Sequence, residues 1–249
     1  MGFGQVVLLH SSLRSLGPVE GGAGTVVAAL RGLLGPDGTL AVPTGTSGNS
    51  DTSPLYRAAV AGMTAAEVAA YRDRMPAFDP ATTPSQGMGV IAEHVRTLPG
   101  ARRSGHPQTS LAAVGPLAAR ITGGHARDCL LGERSPIARL YDAGARVLLL
   151  GVGYDKCTAF HLAEYRRTAH PPRRTYRAVV DDGDGRGWCE FEDVALDAGD
   201  FPALGAAFEE TGVVRRGRVG AAGARLFPLR SAVDYAVDWL AANRPRVRG

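Results

Sequence analysis

The sequence contains few cysteines and no long apolar segment. Its three cysteines, Cys129, Cys157 and Cys189, are odd in number and far apart, which argues against a disulfide framework or a zinc ribbon. The aliphatic run at residues 147–150 ends at Gly151, whereas a membrane-spanning helix needs roughly 20 apolar residues. The N-terminal residues also lack the basic and then apolar pattern of a secretory signal. We therefore expect a cytoplasmic protein with no membrane partner.

The charge of the chain is mildly basic and unevenly distributed. The sequence has 28 Lys and Arg residues against 24 Asp and Glu residues, a formal net charge of +4. The basic residues are scattered singly and in pairs, so we expect no nucleic-acid partner. Acidic residues, in contrast, dominate residues 181–200. Such a stretch is either a solvated face or a region that attracts a cationic substrate.

The first 42 residues have the pattern of a βαβ unit. Residues 6–11 (VVLLHS) form a continuous apolar run that predicts a buried strand. Residues 25–34 carry apolar residues at helical spacing, with Thr25 as the predicted N-cap and Gly35 as the stop. Residues 39–42 predict a second strand. Because such crossovers join parallel strands, we expect these two strands to be parallel.

Polar residues follow both predicted strands. His10, Ser11 and Ser12 end the first strand, and Pro43 and Thr44 follow the second. The carboxyl ends of parallel strands form the edge at which open α/β sheets bind ligands. We therefore expect these residues to meet at a binding site.

The remaining segments predict an α/β protein of one domain, 1–249. The spacing from Thr64 to Glu67 is that of a capping box, and Ser135–Pro136 is a typical helix start. Helices are also predicted at 88–98, 201–211 and 231–243, strands at 110–114 and 146–152, and an antiparallel hairpin after residue 174. We expect a mixed, partly parallel central sheet flanked by helices, with a small loop-rich lobe at 45–85 and the C-terminal antiparallel hairpin.

Residues 151–165 (GVGYDKCTAFHLAEY) contain the strongest candidate for catalysis. They follow a predicted buried strand, and Thr158 is placed to cap a helix with His161 near its third position. Glu164 follows one turn later on nearly the same face. The positive partial charge at a helix N-terminus favours a neutral imidazole, the form that a general base needs.

The same segment allows three other interpretations. His161 could be a hydrogen-bonded core histidine. Cys157 and His161 are four residues apart, so they could form a nucleophile and base pair. His161, Glu164 and His170 could bind a metal ion, although this pattern is weak. No G-x-S-x-G occurs, which argues against a hydrolase with a nucleophile elbow.

Residues 102–110 (RRSGHPQTS) form a second candidate binding segment. Two arginines, backbone amides freed by glycine and several hydroxyls suit a phosphate group or a pantetheine arm. The alternative is a solvated loop.

Five segments resemble, in this order, the aminoglycoside 3-N-acetyltransferases, a family distinct from the GNAT acetyltransferases: HSSLRSLGPVEGG, FDPATTPSQGMG, RRSGHPQTSLAAVGP, LGERSPIARLY and LLLGVGYDKCTAFHLAEYR. The resemblance spans about residues 6–240. It implies an α/β fold and acetyl-CoA as the donor. It also implies an aminoglycoside acceptor, acetylated on the 3-amine of 2-deoxystreptamine by direct transfer without a metal.

The resemblance also implies roles for individual residues. His161 would be the general base, Thr158 would order the reaction centre, and either Glu164 or Glu192 would orient the imidazole. The expected coenzyme-binding residues are His10, Ser11, Ser12, Arg103, Ser104, His106 and Thr109. The expected substrate-binding residues are Asp79, Asp155, Glu192 and Asp193, and the 45–85 lobe would lie on the acceptor side.

One departure from the family pattern puts the acceptor in question. Residues 45–63 are rich in Gly, Ser and Ala, where aminoglycoside-modifying members often have aromatic and acidic residues. The alternatives are an acyltransferase that acts on another amine in secondary metabolism and a CoA-binding protein without activity. The sequence leaves the acceptor, the regioselectivity and the oligomeric state open.

Overall fold

The computed structural model describes residues 2, 4–183 and 185–244 and contains two sheets and several helices. The strands are β1 Val6–Ser11, β2 Thr39–Pro43, β3 Arg102–Arg103, β4 Leu111–Val114, β5 Arg146–Leu150, β6 Arg173–Asp181, β7 Arg186–Val194, β8 Arg215–Val219 and β9 Ala222–Pro228. The α-helices are α1 Gly22–Leu34, α2 Pro54–Ala59, α3 Ala65–Arg74, α4 Val90–Arg96, α5 Ala118–Thr122, α6 Pro136–Asp142, α7 Phe160–Arg166, α8 Phe201–Glu209 and α9 Leu229–Asn243. In these described ranges, none of the helices has the length and hydropathy that crossing a bilayer requires.

The main sheet has seven strands in the order β3-β4-β2-β1-β5-β9-β8. β1 is parallel to both of its neighbours, with Leu8 opposite Ala41 of β2 and Val147 of β5. The other pairs in this sheet are antiparallel. The predicted mixed, partly parallel sheet and the parallel βαβ unit are therefore confirmed.

Both faces of the central strands are covered, which explains their unbroken apolar runs. Along β1, Leu8 packs into the core on the side of α5–α9. Val7 and Leu9 pack into the core on the side of α1 and α4. β5 alternates in the same way, with Leu149 on the first side and Leu150 on the second. This arrangement leaves the strand ends as the part of the central sheet that can meet a ligand.

The predicted C-terminal hairpin is confirmed as a separate two-stranded sheet, β6 with β7. It packs on the 45–85 segment, where Val179 shares a small apolar cluster with Tyr56 and Met75. The Asn49 side chain fixes this contact, because its amide donates to the Val179 carbonyl and its oxygen accepts from the Val179 amide, each over 2.7 Å. The placement of this lobe on the acceptor side stays a prediction.

Two of the four predicted helix N-caps, Thr64 and Ser135, are confirmed. Thr64 and Glu67 form the capping box of α3, and the Ser135 hydroxyl accepts from the Ile137 amide at the start of α6. Thr25 is not an N-cap, because α1 begins earlier, at Gly22. The Thr25 hydroxyl instead donates to the carbonyl of Glu20 over 2.7 Å.

The strand predicted at 146–152 ends at Leu150 because the chain turns sharply at Gly151. Gly151 has a φ of +71°, and a Cβ there would lie 2.7 Å from the Cβ of Ser15. Only glycine fits this close approach without strain. The turn directs residues 152–161 over the carboxyl ends of the parallel strands, where the cleft described below opens.

Candidate active site

A cleft of about 660 Å³ opens where β1, β2 and β5 end. Its walls come from three parts of the chain, namely 9–14, 87–92 and 152–161, together with Pro43. The predicted meeting of His10, Ser11, Ser12 and Pro43 at this edge is therefore confirmed. Thr44 is not part of it, because its hydroxyl is buried against the Ser110 carbonyl at 3.1 Å.

His161 lines the cleft and is paired with Glu164. The imidazole Nδ1 lies 2.5 Å from the Glu164 carboxylate, whose side chain is only 1% exposed against 14% for His161. The imidazole also rests against the Phe201 ring, at 4.8 Å between centroids. Because Nδ1 is occupied by the carboxylate, Nε2 is the ring nitrogen left to accept a proton. A histidine held by a buried acid is an arrangement suited to general-base chemistry.

The acid that orients His161 is Glu164, and Glu192 takes no part. Glu192 lies on β7 with an exposed side chain, and its carbonyl accepts from Arg173 over 2.7 Å. The inner carboxylate oxygen of Glu164, in turn, accepts from the Asp197 amide over 2.9 Å and from the Arg244 guanidinium. Glu164 thus stands between the cleft and the C-terminal end of α9.

Thr158 lines the cleft but does not cap α7 as predicted. The helix begins at Phe160 after Ala159, and no side chain caps it. The Thr158 hydroxyl instead lies 3.4 Å from Nε2 of His10. Burial, with the nearby charge of His161, lowers the pKa of His10 from 6.5 to about 3. His10 is therefore neutral near pH 7.

The alternative of a Cys157 nucleophile has little support from the geometry. Cys157 is completely buried, and burial raises the pKa of its thiol to about 12. The thiolate, which is the reactive form, is therefore scarce at neutral pH.

We expect Cys157→Ala to leave kcat unchanged, because the buried thiol does not reach the cleft. The free energy of unfolding should fall by about 1 kcal/mol, as for a typical core substitution. Initial rates of turnover and a thermal unfolding curve test both parts. Complete loss of turnover in a folded variant would instead favour a thioester intermediate.

The segment 102–110 lies away from the cleft, contrary to the expectation for the coenzyme site. Ser104 and His106 are completely buried in a network beside β6 and β7. The Ser104 hydroxyl lies 2.9 Å from Nδ1 of His125, and His106 Nε2 donates to the Arg127 carbonyl over 3.0 Å. The Thr109 hydroxyl donates to the Leu130 carbonyl. These groups satisfy one another and fix the loop.

The two imidazoles of this network, tilted by 37° with their centroids 4.7 Å apart, are neutral near pH 7. Burial, with the neighbouring His125, lowers the pKa of His106 to about 3. Burial also lowers the pKa of His125 to about 4. Neutral rings can act as both donor and acceptor, which is the pattern these hydrogen bonds require.

Arg103 likewise serves the scaffold rather than the cleft. Its guanidinium donates to the Ser110 hydroxyl over 2.9 Å and to the carbonyls of Thr44 and Thr83. Burial, with the nearby Arg96, lowers its pKa to about 10. These contacts use one N–H of each guanidinium nitrogen and point away from the cleft, whose lining does not include Arg103.

Of the four predicted substrate carboxylates, Asp155 alone lines the cleft. Asp79 is exposed and caps its own turn, accepting from the Ala81 amide over 2.8 Å. Asp193 is buried and accepts from the Leu130 amide and the Tyr165 hydroxyl. Asp193 is therefore occupied within the fold, because a buried carboxylate requires such partners.

The family model of aminoglycoside 3-N-acetyltransferases matches residues 8–241 of this chain. The chain belongs to this family. The resemblance stated from the sequence is confirmed, and the protein is an acetyltransferase-family enzyme.

Relatives of known structure share this fold over most of their length. YokD of Bacillus subtilis, described as aminoglycoside N(3')-acetyltransferase-like, is 36% identical over 96% of this chain and 87% of its own. Its crystal structure superimposes with a TM-score of 0.90, over 97% of this chain and 88% of that one. The structure of AAC-IIIb with CoASH is 30% identical, with a TM-score of 0.84 over 98% and 93% of the two chains. Aminoglycoside N(3)-acetyltransferase VII of Streptomyces paromomycinus is 36% identical over 100% of this chain and 90% of its own.

Several residues of the site were not predicted from the sequence. Arg14, Lys156 and the turn at 87–90 line the cleft. The turn belongs to FDPATTPSQGMG, so the family motif could have indicated it. Arg244 contacts Glu164 from 80 residues away in the sequence, and no local pattern indicates such a contact.

Proposed function

We propose that this protein transfers the acetyl group of acetyl-CoA to the 3-amine of a 2-deoxystreptamine aminoglycoside, with His161 as the general base. The observation that carries this proposal is the His161 imidazole, which lines the cleft while its Nδ1 is held by the buried Glu164. Membership of the family supports the donor and the class of acceptor.

The His161–Glu164 pair suggests how the reaction proceeds. The amine nitrogen of the acceptor bonds to the thioester carbonyl carbon, and His161 Nε2 takes the proton that the amine must lose. The carbon–sulfur bond then breaks, and coenzyme A leaves as a thiolate, which takes up the proton from His161. Glu164 holds the imidazole in the correct tautomer and balances its transient positive charge.

The cleft residues fit acetyl-CoA as the donor. Arg14 and Lys156 supply cations that suit phosphate groups. Leu13 and Met88 supply apolar surface for the pantetheine arm, and Ser11, the last residue of β1, adds a hydroxyl. These side chains would hold the donor with its thioester beside His161. Arg103, Ser104, His106 and Thr109 are not part of this proposal.

A second candidate is an acyltransferase that acts on a less cationic amine. Among the described residues, Asp155 is the one carboxylate that lines the cleft, and Lys156 Nζ lies 2.9 Å from its Oδ2. An aminoglycoside carries several positive charges, which a single paired carboxylate holds weakly. This observation favours an acceptor with fewer amines.

We expect turnover of acetyl-CoA with 2-deoxystreptamine aminoglycosides. The test measures thiol release with a panel of these compounds and of monoamines, followed by mass spectrometry and NMR of the product to locate the acetyl group. Turnover with monoamines alone would support the second candidate. Binding of coenzyme A without turnover on any amine would support a binding protein.

A further inference from the structure

The C-terminal end of α9 reaches the His161–Glu164 pair from the side away from the cleft. Arg244 follows the last residue of α9, and its amide still donates to the Leu240 carbonyl over 3.0 Å. Its side chain is 14% exposed and points to the loop before α8. α9 also packs along α7, which carries His161 and Glu164. The fold therefore brings residue 244 to the catalytic helix.

The Arg244 guanidinium joins two carboxylates and one carbonyl. One terminal nitrogen donates to Glu164 Oε1. Nε and the other terminal nitrogen hold both oxygens of Asp200, at 2.6 Å and 2.5 Å. The same terminal nitrogen donates to the Asp197 carbonyl over 2.6 Å. A paired contact of this kind with Asp200 fixes the plane of the guanidinium.

Both oxygens of Glu164 are consequently held. Oε1 accepts from Arg244 and from the Asp197 amide, while Oε2 faces His161 Nδ1 at 2.5 Å. A carboxylate that is 1% exposed is costly without charge compensation. Removing the guanidinium would leave the Glu164 carboxylate with two partners, the Asp197 amide and the His161 imidazole. The carboxylate could then rotate more easily about its last side-chain torsion.

We infer that Arg244 is a positioning residue for acetyl transfer, acting through Glu164 to hold the His161 imidazole in place. This inference rests on the proposed role of His161 as the general base. Arg244 is absent from the residues that line the cleft, so it is not expected to bind acetyl-CoA directly. Its effect should therefore fall on kcat rather than on the KM for the donor.

The surroundings of Arg244 also allow a chemical test. Arg244, Glu164 and Asp200 line a second pocket, of about 490 Å³, which is separate from the cleft. Truncating the side chain would extend this pocket up to the Glu164 carboxylate. A free guanidinium ion has the charge and the planar donor set of the missing group, so it can occupy the vacated position.

We expect Arg244→Ala to lower kcat by about 10²-fold, the order of loss that a misplacement of ~1 Å can cause. The KM for acetyl-CoA should stay unchanged. Millimolar guanidinium chloride should restore part of kcat, whereas urea or sodium chloride at the same concentration should not. Arg244→Lys should retain more activity than Arg244→Ala, because an ammonium group still compensates the charge of Glu164.

Arg230→Ala is the matched control. Arg230 is on the same helix and donates to the carbonyls of Tyr141 and Asp142, at 2.6 Å and 2.7 Å, at the end of α6. Its loss should change the thermal unfolding temperature but neither kcat nor the response to guanidinium. Wild-type kcat in Arg244→Ala overturns the inference, and so does a loss that guanidinium leaves unrelieved.

The tautomer of the His161 imidazole can be measured without turnover, so it tests the role of Arg244 independently of the proposed function. Nitrogen-15 NMR of the imidazole, assigned through the missing signal in His161→Ala, reports which ring nitrogen carries the proton. We expect the Nδ1–H form in the wild type and a mixture of tautomers in Arg244→Ala. An unchanged spectrum in the variant overturns the inference. A wild type that shows the Nδ1–H form but acetylates no amine contradicts the proposed function alone.

Discussion

Replacing His161 with alanine should lower kcat by about 10²–10⁴-fold, the usual contribution of a general base. The structure gives the physical reason, since His161 is the group in the cleft whose second nitrogen is held by a buried acid. Binding of acetyl-CoA should remain, because the strand-end residues and the cations of the cleft are unchanged. Steady-state thiol release and calorimetric titration with coenzyme A measure the two effects separately.

His170→Ala is the control for this substitution. His170 is exposed four residues after the end of α7, so its loss should change neither kcat nor coenzyme binding. Full turnover in a folded His161→Ala variant would contradict the assignment of the general base. Loss of coenzyme binding in that variant would instead assign His161 to the donor site.

Replacing Glu164 with glutamine should also lower kcat by about 10²–10⁴-fold. A neutral amide can donate to Nδ1 and so stabilise the wrong imidazole tautomer. It also cannot balance the imidazolium that would form with His161 as the general base. The change also removes one of the two carboxylates that compensate the partly buried Arg244. We therefore expect a lower unfolding temperature as well, and both effects are measurable on the same sample.

A double variant separates the two roles of Glu164. If Glu164 acts through His161, adding Glu164→Gln to His161→Ala should lower kcat no further. Glu133→Gln is the matched control, because Glu133 pairs with Arg166 of the same helix over 2.7 Å but is exposed and remote from the imidazole. Additive losses in the double variant would contradict an action of Glu164 through His161.

Much of the fold was predictable where local pattern and global packing agree. The buried strands β1, β2 and β5 carry unbroken apolar runs because both of their faces are covered. The capping residues Thr64 and Ser135 have polar side chains that satisfy the free amides of a helix start. These signals depend on neighbouring residues alone, so they can be read without the tertiary structure.

The hairpin of β8 and β9 was not predicted. Its segment is rich in Arg and Gly, and every residue of β8 is exposed. β8 lies at the sheet edge, where charged side chains protect against unwanted pairing, so it has no apolar pattern. The start of α2 at Ser53–Pro54 was missed although it carries the same signal as Ser135–Pro136.

The contact between His161 and Glu164 was predictable from the sequence, but the positions of the other candidate site residues were not. His161 and Glu164 are three residues apart on one helix, so their contact follows from helix geometry. The placement of Ser104, His106 and Asp193 away from the cleft depends on how the hairpin covers the loop before β4. Such contacts join segments far apart in the sequence, so local sequence patterns do not predict them.

The distance along the chain between the parts of this site has a consequence for biosynthesis. His10, His161 and Glu164 are all synthesised before Arg244, so the contacts around Glu164 are complete only once residue 244 has been added. A nascent chain can form its first βαβ unit long before the pair on α7 has its final surroundings. Chains that stop before residue 244 should therefore fold their sheet and still lack the guanidinium contact that holds the Glu164 carboxylate.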